Sequence, residues 1–204
     1  MIGIVDYGSG NIRAIENIYS RLNLRTSVIS NPLDLKLADK LILPGVGAFD
    51  ETMRQLMISG LKEELDELVL VKKKLILGVC VGMQILANSS EEGTLNGLGW
   101  IKGEVKKFDK KVFNHKPYLP HMGWNTIRPT KEHLIFNGLD QEQGFYFVHS
   151  YYFSCHNADN ILATSHYGID FSSSVQSENI FGMQFHPEKS HFNGIKLLEN
   201  FSKI

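Results

Sequence analysis

Cys80 stands in Gly78-Val79-Cys80-Val81-Gly82, after an apolar run, Leu75-Ile76-Leu77-Gly78-Val79, and before Met83-Gln84-Ile85-Leu86, which reads as the start of a helix. Glycines two before and two after a nucleophile form the strand-to-helix nucleophile pattern, here with sulfur in place of oxygen. A bend that sharp crowds its neighbours, so the flanking residues must lack a Cβ. It lifts the side chain above the sheet at a helix N-terminus, where the positive dipole end favours a thiolate and backbone N–H groups face outward. A buried structural cysteine between two packing glycines accounts for the same five residues, because free cysteine is commonly buried.

A catalytic thiol needs a base. Of the eight histidines (115, 121, 133, 149, 156, 166, 186 and 191), His186 is distinctive, because Gly182-Met183-Gln184-Phe185-His186-Pro187-Glu188 reads as a strand ending in His-Pro-Glu. In an extended segment residues two apart point the same way, and Pro187 fixes φ and stiffens the spacing. Glu188 is then placed to accept a bond from one ring nitrogen of His186 while the other faces the thiol, as in a triad. A satisfied histidine at a strand end, followed by a surface carboxylate, is the other reading the residues allow. Acyl transfer also requires oxyanion donors. Pro44-Gly45-Val46-Gly47-Ala48-Phe49 follows a strand, and its glycines allow exposed N–H groups; the Val81 N–H would be a second donor. A tight strand-to-helix turn explains that loop too.

These groups need a scaffold. Ile2–Val5 reads as a short strand ending in the turn Asp6–Gly10, and Ile12, Ile15, Ile18, Tyr19 and Leu22 fall on one helical face. Thr26–Ile29 is a second strand, broken by Asn31-Pro32, and Lys40–Leu43 a third, stopped by Pro44-Gly45. A helical segment runs from about Phe49 to Val71, divided at Gly60, before the strand that leads to Cys80. Continuous apolar strands alternating with helices predict a parallel sheet covered on both faces. After Gly93, runs such as Gly103–Phe108 and Gly144–Val148 predict antiparallel strands, and a helix from about Asn193 to Phe201 closes the chain. The expected fold is a three-layer α/β, one domain over 1–204, with a mixed extension on the later half.

Composition narrows the function classes. With 204 residues, 43% of them hydrophobic and 21% charged, the chain is long enough for a substantial core and is not disordered. Basic and acidic residues number 21 and 22, a balance that suggests neither nucleic-acid binding nor a polybasic membrane anchor. The Lys102–Lys116 basic run reads as a solvated face. No basic residue precedes Arg13 and the apolar stretch Leu75–Ala87 is too short for a bilayer, so neither a secretory leader nor a membrane span is expected, and the setting reads as cytoplasmic. Two cysteines do not make a disulfide framework, and Cys155 reads as a spectator thiol. Gly8-Ser9-Gly10 starts like a dinucleotide fingerprint but carries Arg13 at the third glycine position, and no phosphate-binding loop or zincin motif is present. No cofactor or metal is expected.

The loop, the cysteine and the His-x-Glu pair occur in an order that resembles the class I glutamine amidotransferases, a Cys-His-Glu family. The likeness runs essentially end to end through Val5–Asn11, Leu43–Phe49, Gly78–Gln84, Ser89–Gly93, Pro120–Asn125, Phe145–Tyr151 and Gln184–Ser190. It implies a flavodoxin-like, doubly wound mixed sheet and L-glutamine as substrate. It implies Cys80 as nucleophile, His186 as general base and then acid, and Glu188 as orienter. Gly45, Val46, Gly47 and Val81 would form the oxyanion hole, and Gln84, His149, Ser150 and Tyr151 would hold glutamine. Asn11, Trp124, Asn125, Tyr146 and Lys189 match positions facing a synthase subunit on another chain, which would receive the ammonia. Two acceptor chemistries stay open: closure of an imidazole ring, preferred, or amination of a sugar for surface polysaccharide. A cysteine hydrolase acting on peptides or esters fits less well, since in one such superfamily His directly follows the elbow cysteine, where this chain has Val81. An inert interaction module would be marked by a lost triad residue, and all three are present.

Overall fold

The computed structural model describes residues 1–109, 111 and 119–204, so part of the Lys102–Lys116 run, with His115, lies outside the described residues. The first half runs β1 (Ile2–Val5), α1 (Ile12–Arg21), β2 (Thr26–Ile29), β3 (Lys40–Gly45), α2 (Phe49–Ile58), α3 (Lys62–Asp66), β4 (Leu75–Cys80) and α4 (Val81–Gln84). The second half runs β5 (Ser89–Ser90), β6 (Gly103–Lys107), β7 (His121–Asn125), β8 (Arg128–Pro129), β9 (Phe145–His149), β10 (Tyr151–Cys155), β11 (Ile161–Tyr167), β12 (Ile169–Ser177), β13 (Ile180–Met183) and α5 (His191–Lys203). The main sheet is ordered β2-β1-β3-β4-β13-β12-β10-β6-β5, with β11 beside β12 and β8 beside β11; β7 and β9 form a separate two-stranded sheet.

Strands β2, β1, β3, β4 and β13 are mutually parallel, and from β13 to β6 the pairing is antiparallel. β1 and β13 are buried at every residue, and β3 and β4 at all but their first. Burial on both faces is what their unbroken apolar runs require. Helix α1 buries Ile15, Ile18 and Tyr19 and packs near α5, whereas α2 packs near α4. Gly60, at φ +70°, separates α2 from α3 as the sequence suggests.

Two elements depart from expectation. β3 does not stop at Pro44 but continues to Gly45, with Pro44 opposite Val79 and Gly45 opposite Cys80. The β1 ladder reaches only Ile42, so beyond it β3 is paired on one side and tolerates a missing N–H. The helix expected through Leu86 is the single turn α4. The carbonyls of Ile85, Leu86 and Ala87 instead accept from the backbone N–H groups of Leu98, Ile101 and Gly99, so a returning loop takes over the bonds a further turn would have made.

The registers bring the chemistry together. Met183 lies opposite Val79 and Gly45 opposite Cys80, so the carboxyl ends of β3, β4 and β13 meet along one edge, the usual ligand position in open α/β sheets. The elbow glycines are sterically required. A Cβ on Gly82 would stand 1.9 Å from the Leu43 carbonyl oxygen, and one on Gly78 would stand 2.6 Å from the Gly82 oxygen. Both contacts are with backbone, which has no rotamer to yield.

Gly82→Ala should therefore destabilise the protein by at least about 3 kcal/mol in chemical denaturation, from backbone displacement in a packed core. Gly60→Ala meets nothing within 4 Å and should cost only about 1 kcal/mol, for its positive φ alone.

Candidate active site

At the tip of β4, Cys80 adopts φ 56° and ψ −114°, a strained conformation for a residue with a Cβ, and is buried to 4% exposure. His186 follows β13 by three residues and reaches the same edge. Its Nδ1 lies 2.8 Å from Glu188 Oε1, with both side chains almost wholly buried. The ring is held from behind as well. Its backbone N–H donates to the Tyr146 carbonyl at 2.9 Å, and Ser190 Oγ donates to its carbonyl at 2.6 Å. Nε2 is buried and makes no hydrogen bond of standard geometry; the group acting on it is the Cys80 thiol. Burial opposes protonation of this imidazole, but Cys80 and then Glu188 outweigh it and raise its pKa to about 10.

These groups open on a cavity of about 330 Å³, room for a small polar metabolite. Cys80, His186, Val46, Gly47, Val81, Gln84, His149, Ser150 and Tyr151 all line it, so most residues singled out in the sequence share one wall system. Gly45 does not. It sits in the β3–β4 ladder, where a Cβ would meet the Gly82 nitrogen at 2.4 Å, and its part is clearance for the elbow. Glu92 lines the cavity and was missed by sequence reasoning. Its carboxylate accepts the Phe49 N–H at the start of α2 at 2.8 Å, while Asp50 on α2 accepts from Thr94 and Leu95 N–H in return. The Ser-Ser-Glu-Glu-Gly segment was its only signal, and which glutamate turns inward depends on that clasp. Lys189, expected only on a partner face, also lines the cavity.

The Val46 N–H, expected in the oxyanion hole, donates to Ser9 Oγ at 3.0 Å, and that oxygen lies 3.0 Å from the Val46 carbonyl as well. This peptide is held by the β1–α1 turn rather than aimed at the cavity. The Val81 amide heads a helix turn and has no intrahelical acceptor.

Around the mouth, Trp124 is 49% exposed and stacks on His191 at 5.2 Å, and Lys189 lies over the Tyr146 ring. Met122, two residues before Trp124 on the same face of β7, is 61% exposed. Asn11 is half-buried at the start of α1. Asn125 differs from expectation: its amide nitrogen contacts His121 Nε2 and donates to the His166 carbonyl, and its oxygen accepts from Thr126 N–H. Its polar atoms are engaged by neighbouring groups of its own chain, although the residue stays half-buried. Among the described residues no three of His, Cys, Asp and Glu gather as a metal site, and no helix is long and apolar enough to cross a membrane.

The His186 pKa sets a pH dependence of stability. The unfolded ring titrates near 6.5 and the folded one near 10, so between these values the folded protein binds more protons. The contribution is complete below pH 6.5 and is lost as pH rises through 10. Urea unfolding at intervals from pH 6.5 to 10 should show stability falling, with a flatter profile in Cys80→Ala, which lacks the larger raising influence.

The glutamine amidotransferase class-I family model matches residues 3–204 of the chain. Imidazole glycerol phosphate synthase subunit HisH from Leptospira borgpetersenii is 48% identical over 204 residues, and that from Bdellovibrio bacteriovorus 50% identical over 204 residues, each alignment covering all of both chains. Among solved structures, PurLQS from Thermotoga maritima superposes with a TM-score of 0.73 at 17% identity, covering 99% of this chain and 97% of that one. The glutaminase domain of CTPS from Trypanosoma brucei, with bound acivicin, gives a TM-score of 0.62 at 15% identity, covering 99% and 93%. The structural likenesses carry the fold, and the family match and full-length identities carry the membership: the chain belongs to the class I glutamine amidotransferases.

Proposed function

We propose that this amidotransferase is the glutaminase subunit of an imidazole glycerol phosphate synthase, a single domain that hydrolyses glutamine at Cys80 and passes ammonia to a synthase subunit. The observation that carries the reaction is the convergence of Cys80 and His186 on one cavity at the carboxyl ends of β4 and β13, with Glu188 buried against the His186 ring. Full-length identity to proteins bearing the synthase-subunit name supports the acceptor. The cavity walls carry one carboxylate, Glu92, and one ammonium, Lys189, complementary to an amino-acid zwitterion.

In the proposed reaction the Cys80 sulfur attacks the side-chain amide carbon of glutamine, and the carbonyl π pair moves to oxygen. The Val81 N–H stabilises that oxyanion. Collapse breaks the C–N bond, and His186 gives its proton to the departing nitrogen, which leaves as ammonia. His186, now neutral, takes a proton from water, whose oxygen attacks the thioester. Collapse of that adduct breaks the C–S bond; glutamic acid departs and ionises to glutamate in solvent, and the sulfur is left beside the reprotonated His186. Glu188 stabilises the imidazolium and fixes the ring. Ammonia released into neutral water would mostly be protonated and lose its nucleophilicity, so a docked subunit must receive it dry. The Met122–Trp124–Tyr146–Lys189 rim beside the cavity is the face proposed for docking.

The Val46 peptide supplies a gate in this reading. Held by Ser9, its N–H is withheld from the oxyanion until docking of the synthase subunit turns it. Ser9→Ala should raise partner-free glutamine turnover about tenfold, the worth of a buried hydrogen bond or two, and shrink the stimulation by partner. Equal wild-type turnover with and without the synthase subunit would reject the gate.

Cys80→Ser should abolish glutamine-dependent synthesis by the complex while leaving synthesis from added ammonium salts intact. Loss of both would mean that Cys80 serves assembly rather than chemistry. Ammonia incorporation into an amino sugar, with no imidazole glycerol phosphate formed, would overturn the acceptor.

A further inference from the structure

Two histidines take no chemical step in the proposed reaction: His149 lines the cavity, and His121 lies behind it. His121 and His149 face each other across the β7–β9 pair, and both are buried, at 4% and 6% exposure. His121 Nδ1 stands 2.9 Å from His149 Nε2, and His149 Nδ1 stands 2.8 Å from the Tyr151 carbonyl oxygen. A carbonyl only accepts, so His149 Nδ1 carries the proton. Burial keeps this ring neutral, so its Nε2 is a bare lone pair and requires a donor. His121 Nδ1–H supplies it. His121, also neutral, then presents a lone pair at Nε2, which lies 3.2 Å from Asn125 Nδ2. Asn125 cannot be flipped, because its other N–H donates to the His166 carbonyl and its oxygen accepts from Thr126 N–H. Every hydrogen bond from Asn125 to Tyr151 therefore runs in one direction.

The rest of the surroundings offers His149 no substitute. Phe108, Phe147 and Phe171 pack around its ring, and the charged neighbour that acts on it is His186, whose cation repels a second one. His121 is sandwiched flat, 4.1 Å from the Tyr167 ring and 4.9 Å from Phe147, which locks the plane of its Nδ1–H. The chain ends where glutamine is expected. The Tyr151 carbonyl that accepts from His149 also accepts from Gln84 Nε2 at 3.1 Å, and the other Gln84 N–H goes to Gln184 Oε1 at 3.0 Å. With both its N–H groups engaged, the Gln84 side chain is left to present its acceptor oxygen.

We propose that His121, which does not itself line the cavity, is a positioning residue for glutamine: its Nδ1–H holds His149 in the Nδ1-protonated tautomer, which fixes the Tyr151 carbonyl and, through it, the orientation of Gln84. Without this donor, either His149 keeps its tautomer with an orphaned buried lone pair, or it turns its lone pair on the Tyr151 carbonyl and releases that strand end. The role rests on the cavity being the glutamine site.

The test uses the full chain together with its synthase subunit, and three variants of position 121. In histidine-labelled wild type, nitrogen NMR should show His149 protonated at Nδ1 and bare at Nε2. His121→Phe keeps the stacking on Tyr167 but lacks the donor. It should raise the KM for glutamine about tenfold with kcat within threefold of wild type, the scale of one lost buried hydrogen bond. His121→Asn keeps a donor near the Nδ1 position and should recover most of that loss, whereas His121→Leu should behave as His121→Phe. A His149 protonated at Nε2, an unchanged KM in His121→Phe, or equal impairment in the Asn and Phe variants would overturn the proposal. A wild type that binds no glutamine would instead sink the site assignment, and the tautomer measurement keeps the two failures distinct.

Discussion

Leu43 and Gly82 meet backbone to backbone, at a distance that leaves no room for a side chain on the glycine. Most of the active site depends on that approach. It allows the chain to leave β4 and turn into α4 within one residue, which forces Cys80 to positive φ and sets its sulfur on the sheet edge. It also locks β3 beside the elbow, so that the Gly45–Gly47 loop emerges next to the thiol. The parallel β4–β13 register then delivers His186 to the same edge, although it lies 106 residues away by numbering. Strain at one residue, about 1–3 kcal/mol for such a conformation, is outweighed by the close packing of three buried strands around it.

The electrostatics of the site follow from burial. Three imidazoles stand close together, yet one has its pKa raised and two have it lowered. The difference is one of partners. His186 is bracketed by the Cys80 sulfur and a carboxylate, which together favour its cation over the cost of desolvation. His149 and His121 have only a carbonyl, an amide and each other, so desolvation keeps them neutral. A single cation is thereby placed beside Cys80, as the proposed transfer of a proton to a leaving nitrogen requires. Two neutral rings next to it provide direction without competing charge.

The same strands carry both the cavity wall and the exposed rim proposed for docking. β9 turns Tyr146 outward toward Lys189 and ends in His149, while its backbone holds His186. β7 turns Met122 and Trp124 outward and His121 inward. Pressure on the rim therefore acts on elements that touch the cavity directly. The Ser9–Val46 contact joins the turn after β1 to the loop after β3. A small polar contact of this kind costs about 1 kcal/mol to change, far less than moving the packed sheet.

Local pattern alone determined a good deal. The apolar runs marked β1 and β4, the helical period marked the buried face of α1, and glycines two residues either side of Cys80 marked the elbow, because each signal depends on neighbours within a few positions. His-Pro-Glu was equally legible, since a stiff two-residue spacing suffices to pair a ring with a carboxylate. What the tertiary structure decided depends on groups brought together from distant segments. The Val46 amide points at Ser9, Glu92 rather than Glu91 enters the cavity, Asn125 bonds to His121 and His166, and His121 finds His149 across a sheet separate from the main one. A hydrogen bond needs its partner within about 3 Å and in line, and the residues' order along the chain carries no information on that until the strands have found their registers.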